Sequence, residues 1–193
     1  FGMPLTDIAK HVQGSEFRVF NDVLAAGGRI KAVRLPGCAG YTRREIDALN
    51  EMVKSFGASG MFHLALKDGE IRSPIAKFLT AEQTAGIVAE LQAVDGDLIA
   101  GVAGPAKVVA ESLGRLRVEM GARLGLIGDG NTMACAWVTE FPLLEWNEED
   151  QRFQAVHHPF TSAMPADLPF LESDPGRVRA QAYDVVINGW EIG

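Results

Sequence analysis

Asn188-Gly189 leaves the end of this chain little choice of fold. The pair sits inside Tyr183–Gly193, an apolar run rich in β-branched residues. A type I′ turn needs positive φ at both central positions, and Asn and Gly supply it more readily than other residues. The spacing predicts a hairpin in which Ile187 faces Trp190 and Val186 faces Glu191. Asp184, two residues before Val186, then shares its face and becomes a diagonal neighbour of Glu191, roughly 7–8 Å away at the backbone. On one straight strand the same two acids fall on opposite faces. Two carboxylates so placed suit Mg²⁺, which takes one or two carboxylates together with phosphate oxygens and water. The spacing is equally satisfied by two surface acids on a solvent-facing hairpin.

The rest of the chain divides in two. Residues 1–125 carry 15 Lys and Arg against 14 Asp and Glu, whereas residues 126–193 carry 3 against 11. The charge step near residue 125 marks an expected boundary, and an acidic block of this kind is a poor nucleic-acid surface by itself. In the first part, Pro4–Asp7 reads as a helix start with Ile8, Ala9 and Val12 on one side. Phe17 to Phe20 reads as a short apolar alternation, and Ala25 to Arg29 as a Gly-rich connector. Strand patterns follow at Arg29 to Leu35, Met61 to Leu66 and Gly96 to Val102. Helix patterns run from Thr42 to about Phe56, where Thr42-Arg43-Arg44-Glu45 is a capping box, from Thr80, and from Ala106 to Leu124. This order specifies a compact α+β or α/β domain. After residue 125, strands are expected at Ala134 to Phe141, Phe153 to Val156 and Ala182 to Ile192, joined by Pro- and acid-rich loops.

Several chemistries are disfavoured. The 193 residues are 47% hydrophobic, enough for a packed core, and no apolar run approaches the ~20 residues of a membrane helix. Gly121 to Gly128 follows a helix and lacks the spacing of a dinucleotide fingerprint, and there is no Walker A motif. Cys38 and Cys135 stand in no metal or redox spacing and read as thiols of a reducing compartment. Lys31, Arg34, Arg43, Arg44, Lys54, Arg72 and Lys77 form either one basic patch or scattered solvated charges, since acids lie among them. His157-His158 precedes Pro159-Phe160-Thr161-Ser162. On an extended segment the two rings point apart, so at most one enters a given site, and no other ligand stands at zinc spacing. Either the pair serves a polar substrate or it ends a strand before a Pro turn.

Taken together, Phe1–Asp7, Arg34–Gly37 with Thr42-Arg43, Ser73–Leu79, Trp137–Pro142, His157–Ser162 and Ala182–Gly193 resemble bacterial-type aspartyl-tRNA synthetase, a class II enzyme. One departure is Ala163-Met164-Pro165, where the family pattern has Pro directly after the position of Ser162. The resemblance implies an α+β fold: residues 1–25 lead from the catalytic core into an insertion called the GAD domain, residues 26–125 form that insertion, and residues 126–193 return to an antiparallel catalytic sheet. It implies a cytoplasmic ligase, a homodimer in its intact form and without membrane attachment, that activates aspartate with ATP and transfers it to tRNA. Asp184 and Glu191 match the acids that hold Mg²⁺ on the ATP phosphates. His157 and His158 match the histidines near bound aspartate, with His157 the expected direct contact. No residue is assigned a bond-making role. The anticodon-binding barrel, the first two class II motifs, the aspartate-gripping arginine and the third motif are not in the sequence, so the chain is expected to be an inactive fragment by itself. The alternative is a free-standing, non-catalytic GAD-like module that binds tRNA or a protein; a metal-binding regulator with no RNA role is a third reading.

Overall fold

A computed structural model describes residues 2–128 and 131–193; Phe1, the first residue of the Phe1–Asp7 motif, lies outside them. The chain forms two compact units, Phe1–Ile127 and Gly128–Gly193.

The first unit is built on β1 (Thr6–Asp7), α1 (Ala9–Val12), α2 (Arg18–Ala25), β2 (Arg29–Leu35), α3 (Arg43–Ser55), β3 (Phe62–Lys67), β4 (Glu70–Arg72), α4 (Ala81–Glu90), β5 (Leu98–Gly104) and α5 (Ala106–Arg123). Its five strands lie in the order β1-β2-β5-β3-β4, and every pairing is antiparallel. That decides for α+β, because strand–helix alternation along a chain is compatible with either sheet type. β2 and β5 pair along their whole length, Arg29 opposite Gly104 and Leu35 opposite Leu98. Their side chains alternate between two buried faces. Val33, Leu35, Leu98, Ala100 and Val102 meet Leu49 and Val53 of α3 and Val109, Leu113, Leu116 and Met120 of α5. Ile30, Ala32, Leu64 and Ile99 meet Ile8, Val12, Phe20 and Ile87 from α1, α2 and α4 and the residue before α1.

Both Thr-led helices begin with complete capping boxes. Glu45 N–H donates to Thr42 Oγ1 (3.4 Å) while Thr42 N–H donates to Glu45 Oε2 (2.7 Å). Thr80 and Gln83 make the same reciprocal pair at 3.1 and 3.0 Å. Each box satisfies amide donors that a helix start otherwise leaves without partners.

Two local expectations are corrected. Thr6 and Asp7 do not open a helix; they pair with Ala32 and Lys31 of β2. The helix starts at Ala9, whose N–H donates to Asp7 Oδ1 at 2.9 Å. Phe17 to Phe20 is not extended: Phe17 is the N-cap of α2, and Phe17, Phe20 and Leu24 fall on one helical face against the core. The two-residue turn Asp68-Gly69, both with positive φ (57° and 76°), adds β4 as a hairpin arm. It is the same turn chemistry as Asn188-Gly189.

The second unit contains β6 (Cys135–Val138), β7 (Leu144–Asn147), β8 (Arg152–Ala155), β9 (Asp184–Ile187) and β10 (Trp190–Glu191). The strands form an antiparallel sheet β10-β9-β6 and a separate hairpin β7-β8. The acid-rich stretch Asn147–Asp150 belongs to that second hairpin, with β7 an arm that the sequence pattern did not mark. The strand expected over Ala134 to Phe141 ends at Val138, and Glu140 takes φ 62°. Cys38, buried in the first unit, and Cys135, exposed in the second, are both free thiols.

Candidate functional site

The hairpin forms as its turn chemistry dictates. Asn188 has φ 50° and Gly189 φ 85°, Ile187 lies opposite Trp190, and Val186 lies opposite Glu191. Asn188 is tied to the strand beyond: its N–H donates to Ala134 O (2.9 Å), and its Oδ1 accepts Ala134 N–H (2.8 Å). β9 is the central strand, with Ala136 opposite Val186 and Val138 opposite Asp184. By strand alternation Asp184, Val186 and Glu191 share one face with Ala136 and Val138. The other face carries Trp137, Val185, Ile187 and Trp190, and Tyr183 packs edge-on to Trp137 at 5.2 Å.

Asp184 is half-buried and Glu191 exposed. The three basic side chains of this unit are occupied elsewhere. Arg152 pairs with Asp150 (3.1 Å), Arg177 stacks over Phe170 (4.0 Å), and Arg179 pairs with Asp167 and Glu140. The two carboxylates therefore present negative charge that no cation of their own unit offsets. Among the described residues no three His, Cys, Asp or Glu side chains converge as a metal cage. Two hard oxygen donors on one face fit Mg²⁺ only as an open site, completed by phosphate oxygens and water.

The two histidine rings sit in different surroundings, past the end of β8. His157 is half-buried, packed edge-on against Phe141 (5.3 Å, 74°), and its Nε2 is buried with no hydrogen-bond partner. His158 is exposed; its Nδ1 accepts Phe160 N–H at 3.3 Å, and its ring lies against Phe160. Among the described residues no hydrogen bond joins either histidine to Asp184 or Glu191. The connection is through the main chain: Gln181 N–H donates to Ser162 O (2.8 Å), linking the histidine loop to the segment that enters β9.

Sequence reasoning missed the strongest polar cluster of this unit. Arg179 donates through Nε and Nη2 to Oδ2 and Oδ1 of Asp167 (2.7 and 3.0 Å) and through Nη1 to Glu140 Oε1 (2.7 Å). Its backbone N–H also donates to Asp167 Oδ2 at 3.0 Å. These bonds hold the Asp167 carboxyl down to about 2 and push the Arg179 guanidinium above its ordinary range. The available signal was composition: an arginine in a block of acids has carboxylates within reach.

The first unit carries an open cleft of about 650 Å³ beside the N-terminal end of α3, the strand β3 and the edge strand β4. Arg43, Lys67, Arg72, Asp47, His63 and Tyr41 line it. Burial lowers the His63 pKa against the opposing pull of Asp47; Arg43 pairs with Asp47 (3.8 Å) and Arg72 with Glu70 (3.5 Å) and Asp68 (3.9 Å). A second cleft of about 530 Å³ shares Ile46, Asp47, His63 and Pro74 with it and includes Lys54. The seven basic residues marked in the sequence do not all converge here. Arg34 is engaged by Asp97 (3.5 Å), and Lys77 lies over the Phe78 ring (4.9 Å).

The first unit is an antiparallel α+β domain, and the second carries a strand hairpin with two carboxylates on one face. Residues 20–113 match the GAD domain. Over all 193 residues the chain is 50% identical to the aspartate–tRNA ligase of Clostridium novyi and 48% identical to that of Clostridium acetobutylicum. It is also 50% identical to the aspartate–tRNA(Asp/Asn) ligase of Moorella thermoacetica. In each case the whole chain is covered, and it spans 32% of the relative's length. Residues 20–113 are thus similar to a GAD domain, and the chain over all its residues is similar to about a third of an aspartate–tRNA ligase.

Proposed function

We propose that this chain is the GAD-bearing portion of an aspartate–tRNA ligase, a cytoplasmic class II enzyme acting as a homodimer, that activates aspartate with ATP and esterifies it to tRNA. In this reading residues 26–125 are the insertion, and residues 1–25 and 126–193 belong to the catalytic core. Asp184 and Glu191 hold Mg²⁺ against the ATP phosphates, and His157, with His158 beside it, serves bound aspartate. The observation that carries the reading is the pair of carboxylates on one face of β9 and β10, left without a compensating cation. Bound there, Mg²⁺ supplies charge neutralisation for the phosphate oxygens. Glu191, on the two-residue strand after a fixed turn, and Asp184, in the central strand, keep their oxygens on that one face. His157 offers a desolvated nitrogen with no internal partner, suited to hydrogen-bonding a polar substrate group.

The test is aspartate-dependent exchange of pyrophosphate into ATP by a polypeptide of the relatives' full length that contains this chain. Glu191→Gln is expected to lower exchange about 100-fold or more, the scale of removing one fixed electrostatic element from an active site. The 193-residue chain alone is expected to give none. Unchanged exchange in Glu191→Gln, or robust turnover by the short chain, overturns the assignment.

One observation favours a second reading, a non-catalytic tRNA-binding module: the cation-lined cleft of Arg43, Lys67 and Arg72 on a chain of net charge -7. Under it, tRNA binding by the chain weakens about tenfold in Lys67→Glu with Arg72→Glu, falls with salt as phosphate contacts require, and survives Asp184→Ala with Glu191→Ala. A gel-shift titration at two salt concentrations separates the two readings.

A further inference from the structure

Val178–Gln181 runs between two other stretches of the second unit. On one side, Leu143 N–H donates to Val178 O (2.8 Å) and Ala180 N–H to Phe141 O (2.7 Å). On the other, Met164 N–H donates to Arg179 O and Gln181 N–H to Ser162 O, both at 2.8 Å. Pro142 bridges to Arg179 and Ala163 to Ala180. The histidine loop, His157–Met164, is thus held along its exit by the same segment that runs on into Asp184.

Arg179 ties the two flanks together with its side chain. Through Nη1 it holds Glu140, which precedes Phe141, the ring against which His157 packs. Through Nε and Nη2 it holds buried Asp167, whose N–H closes a turn on Met164 O (2.9 Å) at the end of the loop. The His157 ring has no hydrogen bond at Nε2 to fix its orientation. Its placement therefore depends on Phe141 and on the path of its own loop, and both are anchored at Arg179. The planar guanidinium is suited to this: it presents donors in two directions at once, whereas a lysine ammonium is a single point. We propose that Arg179 is a positioning residue, fixing the His157 imidazole relative to the strand that carries Asp184 without itself meeting a ligand. A role of His157 toward aspartate rests on the ligase reading above; its positioning by Arg179 does not.

The experiment is nuclear magnetic resonance of the histidine rings in the 193-residue chain, with His158 as the internal reference. Arg179→Met and Glu140→Gln are each expected to move the His157 ring signals and broaden them, while His158 stays in place. Arg179→Lys is expected to restore the wild-type signals only in part. Glu140→Gln leaves the Arg179–Asp167 pair intact, so it serves if Arg179→Met fails to fold. In the polypeptide of full ligase length, the same variants are expected to raise the KM for aspartate about tenfold, the scale of a small misplacement in a site, with the KM for ATP unchanged. Unmoved His157 signals in a folded Glu140→Gln variant overturn the proposal. Moved signals with an unchanged aspartate KM uphold the positioning and remove His157 from the aspartate site, so the two readings fail separately.

Discussion

Replacing Phe20 with alanine is expected to destabilise the first unit by about 3–5 kcal/mol, the usual cost of emptying a buried aromatic site. Phe20 is fully buried at the centre of the face that α1, α2 and α4 build on the sheet. Its ring packs edge-on to Phe62 (5.0 Å, 74°) and to Phe17 (4.8 Å, 87°), and Phe17 in turn lies against Phe78. Ile30 and Ile99 of the same buried cluster stand on the paired strands β2 and β5, which cannot close inward on a cavity without breaking their ladder. A loss of this size is a large fraction of the ~5–15 kcal/mol that holds a domain folded. The chain separates the readouts: among the described residues the α-helices α1 to α5 lie in the first unit, and Trp137, Trp146 and Trp190 lie in the second. Guanidinium titration followed by far-ultraviolet circular dichroism should show the early loss, and tryptophan fluorescence reports the second unit. A helix signal as resistant as that of the wild type would refute the assignment of Phe20 as the keystone of this face.

The second large effect is expected at Gly101, on the same face. Phe62 lies directly opposite it across β3 and β5, and a β-carbon on Gly101 would stand 2.1 Å from the tip of the Phe62 ring, with two further ring atoms at 2.6 and 2.7 Å. The glycine is needed for space: Phe62 fills the place where any other residue would put its side chain. Gly101→Val must drive that ring out, and Phe20 loses its partner as it goes. Overpacking costs typically about 1–3 kcal/mol, and here the lost aromatic contacts add to it. Thermal unfolding of Gly101→Val should show a sharply lowered Tm, largely recovered when Phe62→Ala is added. Because Phe62 links the sites, Gly101→Val and Phe20→Ala should not add. Independent, additive losses would mean that the ring is not their common element.

What could be read from residues alone followed local physics. The capping boxes at Thr42 and Thr80, the alternation of Arg29 to Leu35 and the pairing around Asn188-Gly189 depend on neighbours within a few positions, and they are where the pattern put them. Phe17 to Phe20 failed for a different reason: apolar residues at 17, 19 and 20 satisfy both a strand and a helix, and burial of Phe20 decides. Thr6 and Asp7 became strand because β2 offers them an edge, which no local preference reveals. Asp68-Gly69 carries the same turn signal as Asn188-Gly189, but the short arm beyond it makes a weak strand pattern. Of the candidate site, the relation between Asp184 and Glu191 was legible because a two-residue turn fixes it. The cluster of Arg179 was not, since its partners lie 12 and 39 positions away.

The fixed turn between β9 and β10 also constrains how such a chain can vary. A side chain inside the loop can change while the face on which Glu191 emerges does not, provided Asn188 and Gly189 keep their backbone conformation. Adding or removing one residue reverses every position beyond it, exchanging Glu191 with its neighbours Trp190 and Ile192 across the plane of the sheet. Length between the two acids is therefore under tighter restraint than composition: the interval behaves as a ruler, and a single-residue slip would leave Asp184 sharing its face with a tryptophan or an isoleucine in place of Glu191.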